Sequence, residues 1–191
     1  MISNKDRSGY IGASDTGYVM RSWTTTTFEK WWRIKQGISK NAFTNDAMKT
    51  GTAYEHKILD SLNIPGMEKD HQIIKGRLRV NLDGNTKVKI YEVKTYNGTK
   101  RFTVTKDYWR QVQVEMYAFG VRLAEIVAYA LEKEDYNNFY REIDINRISH
   151  HAIEYDDKFI SDYEKRMLYL CECLEKGKFP NEQEVRTWQR Q

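Results

Sequence analysis

Cysteine and proline are scarce in this 191-residue chain, with two of each. Cys171 and Cys173 are too few for a disulfide framework and cannot supply the four thiolates of an iron–sulfur cluster. A reducing, cytoplasmic setting is therefore expected. Pro65 and Pro180 stand far apart, so no proline-rich linker divides the chain. No apolar run approaches the roughly 20 residues of a bilayer span. The basic start and apolar core of an export leader are missing, so neither membrane nor secreted location is expected. No internal repeat or low-complexity tract occurs, and the four histidines lack zinc-finger spacing.

What is present points to a folded core. Hydrophobic residues make up 40% of the chain, with thirteen Tyr and five Trp. That is enough large apolar surface to pack one domain over residues 1–191 and to argue against disorder. Net charge is only +4, but it is unevenly spread. Residues 75–110 carry ten Lys/Arg against three acids, while residues 132–165 carry ten acids against five bases. The first stretch can attract a polyanion; ordinary surface charge is the alternative reading.

Periodicity gives the element order. A short helix is expected over 14–20 with Ser14 as its N-cap. A second helix starts at the Thr26/Glu29 capping-box spacing and stops at Gly37. A third runs from about Asp46 to Leu62, with Tyr54, Ile58, Leu59 and Leu62 on its apolar face. Residues 72–83 and 86–95 read as two strands, joined by an Asp83-Gly84-Asn85 turn into a hairpin. Helical spacing returns over 106–119. Two strands near 124–132 and 139–145 follow, and an amphipathic helix from Phe159 to Leu174 ends at Gly177 and Pro180. The expected class is α/β, a central mixed sheet flanked by helices.

Several charged residues sit where apolar ones are expected. Glu55 lies on the apolar face of its helix, where a carboxylate needs a basic or cationic partner unless the position is solvated. Glu92 and Lys94 share one strand face with Val88 and Ile90. Asp83 ends the preceding strand and should approach Glu92. Adjacent carboxylates repel unless a divalent cation lies between them. Hard oxygen donors of this kind suit Mg²⁺ or Mn²⁺, and Lys94 is placed to hold a water or offset phosphate charge. A surface hairpin with a Glu–Lys pair is the alternative reading.

In order along the chain stand Arg7-Ser8-Gly9-Tyr10-Ile11-Gly12-Ala13-Ser14, Gly51-Thr52-Ala53-Tyr54-Glu55, Leu82-Asp83-Gly84, Tyr91-Glu92-Val93-Lys94 and Tyr108-Trp109-Arg110-Gln111-Val112-Gln113. This succession resembles the PD-(D/E)XK nuclease superfamily, in particular its lambda-exonuclease and YqaJ-like viral recombinase branch. The resemblance implies a restriction-endonuclease-like core and a Mg²⁺-dependent 5′→3′ exonuclease acting on double-stranded DNA ends, with Mn²⁺ able to substitute. It implies Asp83, Glu92 and the Val93 carbonyl as metal ligands, and Glu55 on a second metal or its waters. Lys94 would place the attacking water, and Gln111 would orient Lys94 or the scissile phosphate. Arg7 and Ser14 match positions that hold a terminal 5′-phosphate. A homotrimeric ring and a single-strand annealing protein as partner are implied as well. Leu82 replaces a frequent proline, and Asn81 replaces a small hydroxyl residue that contacts phosphate.

Gln113 and Tyr117 keep a Gln-x-x-x-Tyr spacing used by the RecB-like branch, so Gln113 is a further DNA-contact candidate. Lys100 and Arg101, in a loop just after the Glu-x-Lys strand, are expected to touch phosphates without reading bases. Trp23, Trp31, Trp32 and Trp109 could stack on bases, but their helical spacing favours the core, as it does for Cys171. His150-His151 reads as a solvated pair near a strand end. An endonuclease of the same fold and a non-catalytic DNA-binding module are the rival functions. The Arg7/Ser14 pair favours an end-binding enzyme, and intact Asp83, Glu92 and Lys94 argue against a mere binder.

Overall fold

A computed structural model describes residues 8–39 and 46–188. Five strands, β1 (Glu68–Lys75), β2 (Leu78–Asn85), β3 (Lys89–Asn97), β4 (Leu123–Leu131) and β5 (Ile148–Glu154), form one sheet in that spatial order. Every neighbouring pair is antiparallel except β3–β4. A parallel pair needs a crossover, and helix α4 (Lys106–Phe119) provides it. The mixed sheet flanked by helices is therefore as the sequence indicates.

The strand boundaries need correction. Asp83-Gly84-Asn85 is not a turn but the end of β2. The chain reverses first at Gly76-Arg77, where Gly76 takes φ +58°, and again at residues 86–88, where the Thr86 N–H bonds the Lys89 carbonyl at 2.8 Å. Gly84 serves close packing instead: a Cβ there would lie 2.9 Å from the Met67 sulfur and 3.1 Å from Leu59. Val88, expected on a core face, is 69% exposed in the second turn. Residues 139–145 form no strand; Tyr140 is 94% and Ile145 65% exposed. The strand that pairs with β4 is 148–154, so His150 and His151 fall mid-strand on opposite faces. His150 pairs with Glu125, and His151 packs on Phe102.

Helix starts shift by small amounts. A 3-10 turn, Ala13–Asp15, precedes α1 (Thr16–Met20), and Ser14 sits inside that turn. Asp15, not Ser14, does the capping: its carboxylate accepts the Gly12 N–H at 2.7 Å and pairs with the buried Lys35 at 2.5 Å. Helix α2 (Thr26–Lys35) is capped by Thr25, whose hydroxyl accepts the Phe28 N–H at 3.1 Å. Helix α3 (Asp46–Ser61) and helix α5 (Asp157–Glu175) follow the expected spans.

Each face of the sheet is covered. Residues of α1, α2, α4 and α5 share a core with Leu82, Ile90 and Ile126 on one side. Tyr54, Ile58 and Leu59 of α3 pack on Tyr91, Val93, Val127 and Tyr129 on the other. The central strand β3 is accordingly buried on both faces, from Ile90 through Val93. Trp23, Trp31 and Trp32 are core residues, at most 6% exposed. Cys171 and Cys173 are buried free thiols. Among the described residues, no helix is long and apolar enough to cross a membrane.

Candidate active site

The site lies where the sheet divides. Strand β3 pairs with β4 over nine positions, Lys89↔Leu123 to Asn97↔Leu131. With β2 it pairs only at Gly84↔Tyr91 and Asn85↔Ile90. The next pair in that register would set Asp83 against Glu92, and there the strands part. Asp83 spans the opening by accepting the Val93 N–H at 2.8 Å. A strand residue's N–H and C=O lie on the same edge, so the Val93 carbonyl faces this opening too.

Strand parity sends Ile90, Glu92 and Lys94 to the side covered by α4. Glu92 is 4% exposed. Its Oε1 accepts from Lys94 Nζ at 2.6 Å and from Gln111 Nε2 at 2.5 Å. The Gln111 oxygen accepts from Lys94 at 3.2 Å, which fixes the amide with its nitrogen towards the carboxylates. That nitrogen also donates to Glu115 Oε1 at 2.8 Å, one helical turn along α4. The Lys94 ammonium lies 5.0 Å from the centre of the Tyr108 ring.

Glu55 comes from α3 and brings its carboxyl up to that of Asp83. The next residue, His56, bonds Asp70 at 3.0 Å. One ligand atom each of Glu55, His56 and Asp70 lies within 4.8 Å of the other two. Asp70 stands across β1–β2 from Asp83, between the pairs Lys69↔Gly84 and His71↔Leu82. It takes φ +59°, a conformation few residues other than glycine adopt.

Carboxyls dominate this cluster: Glu55, Asp83, Glu92 and Glu115 gather about the Lys94 ammonium, while Arg79 and Lys35, the latter paired with Asp15, line the adjoining cavity. Burial, then Glu92 and Glu55, hold the Asp83 carboxyl well above the usual carboxylate range. Burial and then Glu92 do the same to Glu115, and the same two causes raise Glu55. Burial alone would lower the Lys94 pKa; Glu92 and Asp83 outweigh it and raise it, so the amine stays charged. Glu115 Oε2 is buried without a hydrogen-bond partner. Hard oxygen donors in excess of positive charge fit Mg²⁺ or Mn²⁺. The imidazole beside these carboxyls, His56, is bonded to Asp70, and the group of ligand atoms it belongs to holds no thiolate.

No family model and no curated protein matches the sequence. Solved structures do match. The alkaline exonuclease LHK-Exo from Laribacter hongkongensis superposes with a TM-score of 0.67 over 90% of each chain, at 19% identity. The same enzyme in complex with dAMP gives 0.66. A phage-related exonuclease from Haemophilus somnus 129PT gives 0.63 at 15% identity, covering 87% of this chain and 94% of that one. The chain has the PD-(D/E)XK nuclease fold.

On this nuclease fold Glu55, Asp83, Glu92, Lys94 and Gln111 converge, and the Val93 backbone borders the same opening. Ser14 is exposed and lines a cavity of about 150 Å³ with Lys35, Arg79, Asp83, Gln111 and Glu115. It does so from a 3-10 turn, so no helix N-terminus is presented with it. Arg7 lies outside the described residues. Lys100 and Arg101 are exposed in the loop leaving β3, beside a 790 Å³ cleft walled by Asn97, Gly98 and Thr99. Gln113 is a correction: it is 0% exposed. Its amide donates to the Glu154 carbonyl at 2.7 Å and accepts the Asp156 N–H at 2.8 Å, so it is buried in the β5–α5 connection and out of reach of a phosphate. Tyr117 bonds Glu164. Glu115, His56 and Asp70 were not singled out by sequence. The signal for Glu115 was its position four residues after Gln111 on a face otherwise occupied by core residues.

Proposed function

We propose that this chain is a Mg²⁺-dependent deoxyribonuclease, accepting Mn²⁺, that digests one strand of a DNA duplex from its 5′ end and leaves 3′ single-stranded tails. The observation that carries this reading is the meeting of four carboxyls and the Lys94 ammonium at the point where β2 leaves β3. Asp83, Glu92 and the Val93 carbonyl would hold one divalent cation, and Glu55 a second cation or its waters. A cation held there would supply a water of lowered pKa and offset phosphate charge, and cleavage would break the P–O3′ bond.

The chain's own groups do the rest. Lys94, held by Glu92 and Gln111, keeps a fixed ammonium where an attacking water or a phosphate oxygen would sit. Gln111 locks the direction of that ammonium. Ser14, with Arg7, would take the terminal 5′-phosphate, and Arg79 lines the same cavity. Lys100 and Arg101 would contact backbone phosphates. A homo-oligomer (a trimer by resemblance), an annealing-protein partner and a cytoplasmic location complete the reading and rest on the sequence resemblance and composition alone.

The test uses linear duplex with and without a 5′-phosphate, alongside covalently closed circles, in Mg²⁺ and in EDTA. Mononucleotide release from phosphorylated ends, with closed circles intact and no reaction in EDTA, is expected. Cutting of closed circles would make the protein an endonuclease. Binding without cleavage of any substrate would refute the enzymatic reading.

A further inference from the structure

We propose that Glu115 is a working carboxylate of the cation centre, contributing its Oε2 to binding of the divalent ion, directly or through a water. This rests on the cation reading above and adds a residue to it. Two oxygens of Glu115 behave differently. Oε1 accepts from Gln111 Nε2 at 2.8 Å, the same nitrogen that donates to Glu92 Oε1. One amide thus ties Glu115 and Glu92 to each other. Oε2 is buried and accepts from nothing. The residue is 1% exposed and lines the small cavity shared with Asp83 and Gln111.

A purely structural role does not explain this arrangement. Orienting Gln111 needs one acceptor oxygen, which a neutral glutamine would supply equally well. A glutamate instead brings a second carboxyl against Glu92 and leaves Oε2 buried with no donor to accept from, and buried acceptors without partners are costly. A glutamate here becomes favourable once positive charge enters the opening. Gln111 then has two duties: its oxygen holds Lys94, and its nitrogen sets the spacing of two carboxylates facing the cation.

Mn²⁺ binding by calorimetry, on wild type, Glu115→Gln and Glu92→Gln, decides the matter. Groups that support metal ligands typically contribute about 10–100-fold in affinity. Glu115→Gln should therefore weaken Mn²⁺ binding at least tenfold while melting, in EDTA, at or above the wild-type temperature. The Mn²⁺-induced rise in melting temperature is compared within each variant, so the result is readable even if a variant is destabilised. Wild-type Mn²⁺ affinity in Glu115→Gln would overturn the inference. If wild type itself binds no Mn²⁺, the cation reading fails and the inference with it. If wild type binds Mn²⁺ yet cuts no DNA, only the nuclease reading fails, and the Glu115 comparison still decides this inference.

Discussion

Replacing Asp83 by asparagine should make the cation-free protein more stable and inactive. Asp83 faces Glu92 and Glu55, which repel its charge, and Lys94 and the Val93 N–H, which favour it. One uncompensated like-charge contact at about 4 Å is worth roughly 4 kcal/mol at an effective dielectric of 20. The penalty also has a ceiling. Keeping a proton on a carboxyl of ordinary pKa 3.8 at pH near 7 costs about 4 kcal/mol, because the folded state would otherwise take up that proton. Asp83 is partly open to solvent, so a gain of about 1–2 kcal/mol is expected after screening. For a chain of this size that is a rise in Tm of roughly 2–8 °C. Asparagine keeps the acceptor for Val93 and offers its NH₂ to the two glutamates. Since folding takes up protons at the raised carboxyls, wild-type stability in EDTA falls as pH rises above the ordinary carboxyl pKa, and Asp83→Asn should fall less. The advantage of the variant therefore grows from acid to neutral pH. Saturating Mn²⁺ reverses the order, since ligand at 100 times its Kd adds about 2.7 kcal/mol to the protein that binds it. Thermal unfolding in EDTA and in Mn²⁺, from acid to neutral pH, reads all of this. An Asp83→Asn protein that melts below wild type in EDTA at neutral pH would refute the claim that carboxylate repulsion dominates the opening.

Three further outcomes follow from the contacts. Lys94→Met should lower cleavage by roughly 10²–10³-fold while Mn²⁺ still binds; calorimetry beside a cleavage assay checks both, and retained cleavage would remove Lys94 from the mechanism. Gln113→Ala strands the Glu154 carbonyl and the Asp156 N–H, so it should destabilise by about 1–3 kcal/mol and leave DNA affinity per folded molecule unchanged. Asp135 is fully buried between Arg147 and Arg141, at 2.7 and 3.0 Å. Burial would raise its pKa, but Arg147, the Glu132 N–H and Arg141 together outweigh it and the net shift is downwards. Its stabilisation is thus present above the ordinary carboxyl pKa and lost as pH falls through the depressed one. Asp135→Asn should cost about 3–5 kcal/mol at neutral pH and less in acid, measured by urea unfolding.

What could be read from sequence depended on how local each signal was. Helix α4 was legible to the residue: Thr105 caps it through the Tyr108 N–H, and Gly120 at φ +89° ends it. Asp83, Glu92 and Lys94 were legible as residues because their order and spacing are local. The division of the sheet between β2 and β3 was not, since it is a property of register that neither strand displays alone. Asp-Gly-Asn looked like a turn, and only the packing of Leu59 on Gly84 shows why it is a strand. Residues 139–145, expected as a strand, lie in a loop; Lys57 of α3 donates to the Phe139 carbonyl there. Glu115 was hidden among Val112, Val114 and Met116, all buried. Its neighbour Gln113 drew attention instead, and a helix places residues two apart on different faces.

The division of the sheet also explains how the fold tolerates the charge. Repulsion between Asp83 and Glu92 is relieved by a proton, by a cation or by separation, and of the two strands β3 is the less free to separate. It is fixed by nine pairs to β4 and covered by α3 on one face and α4 on the other. Strand β2 has only two pairs with β3 but seven with β1, so it can diverge and keep most of its ladder. Each lost pair forfeits backbone hydrogen bonds worth about 0.5–1.5 kcal/mol apiece, and the Asp83–Val93 contact restores one of them. The opening thus sets Glu92 and Lys94 on the strand held by nine pairs to β4 and Asp83 on the strand with only two pairs to β3. Substitutions that shorten the β3–β4 ladder should therefore disturb the site more than equal changes in the β1–β2 ladder, because only the former let Glu92 and Lys94 move.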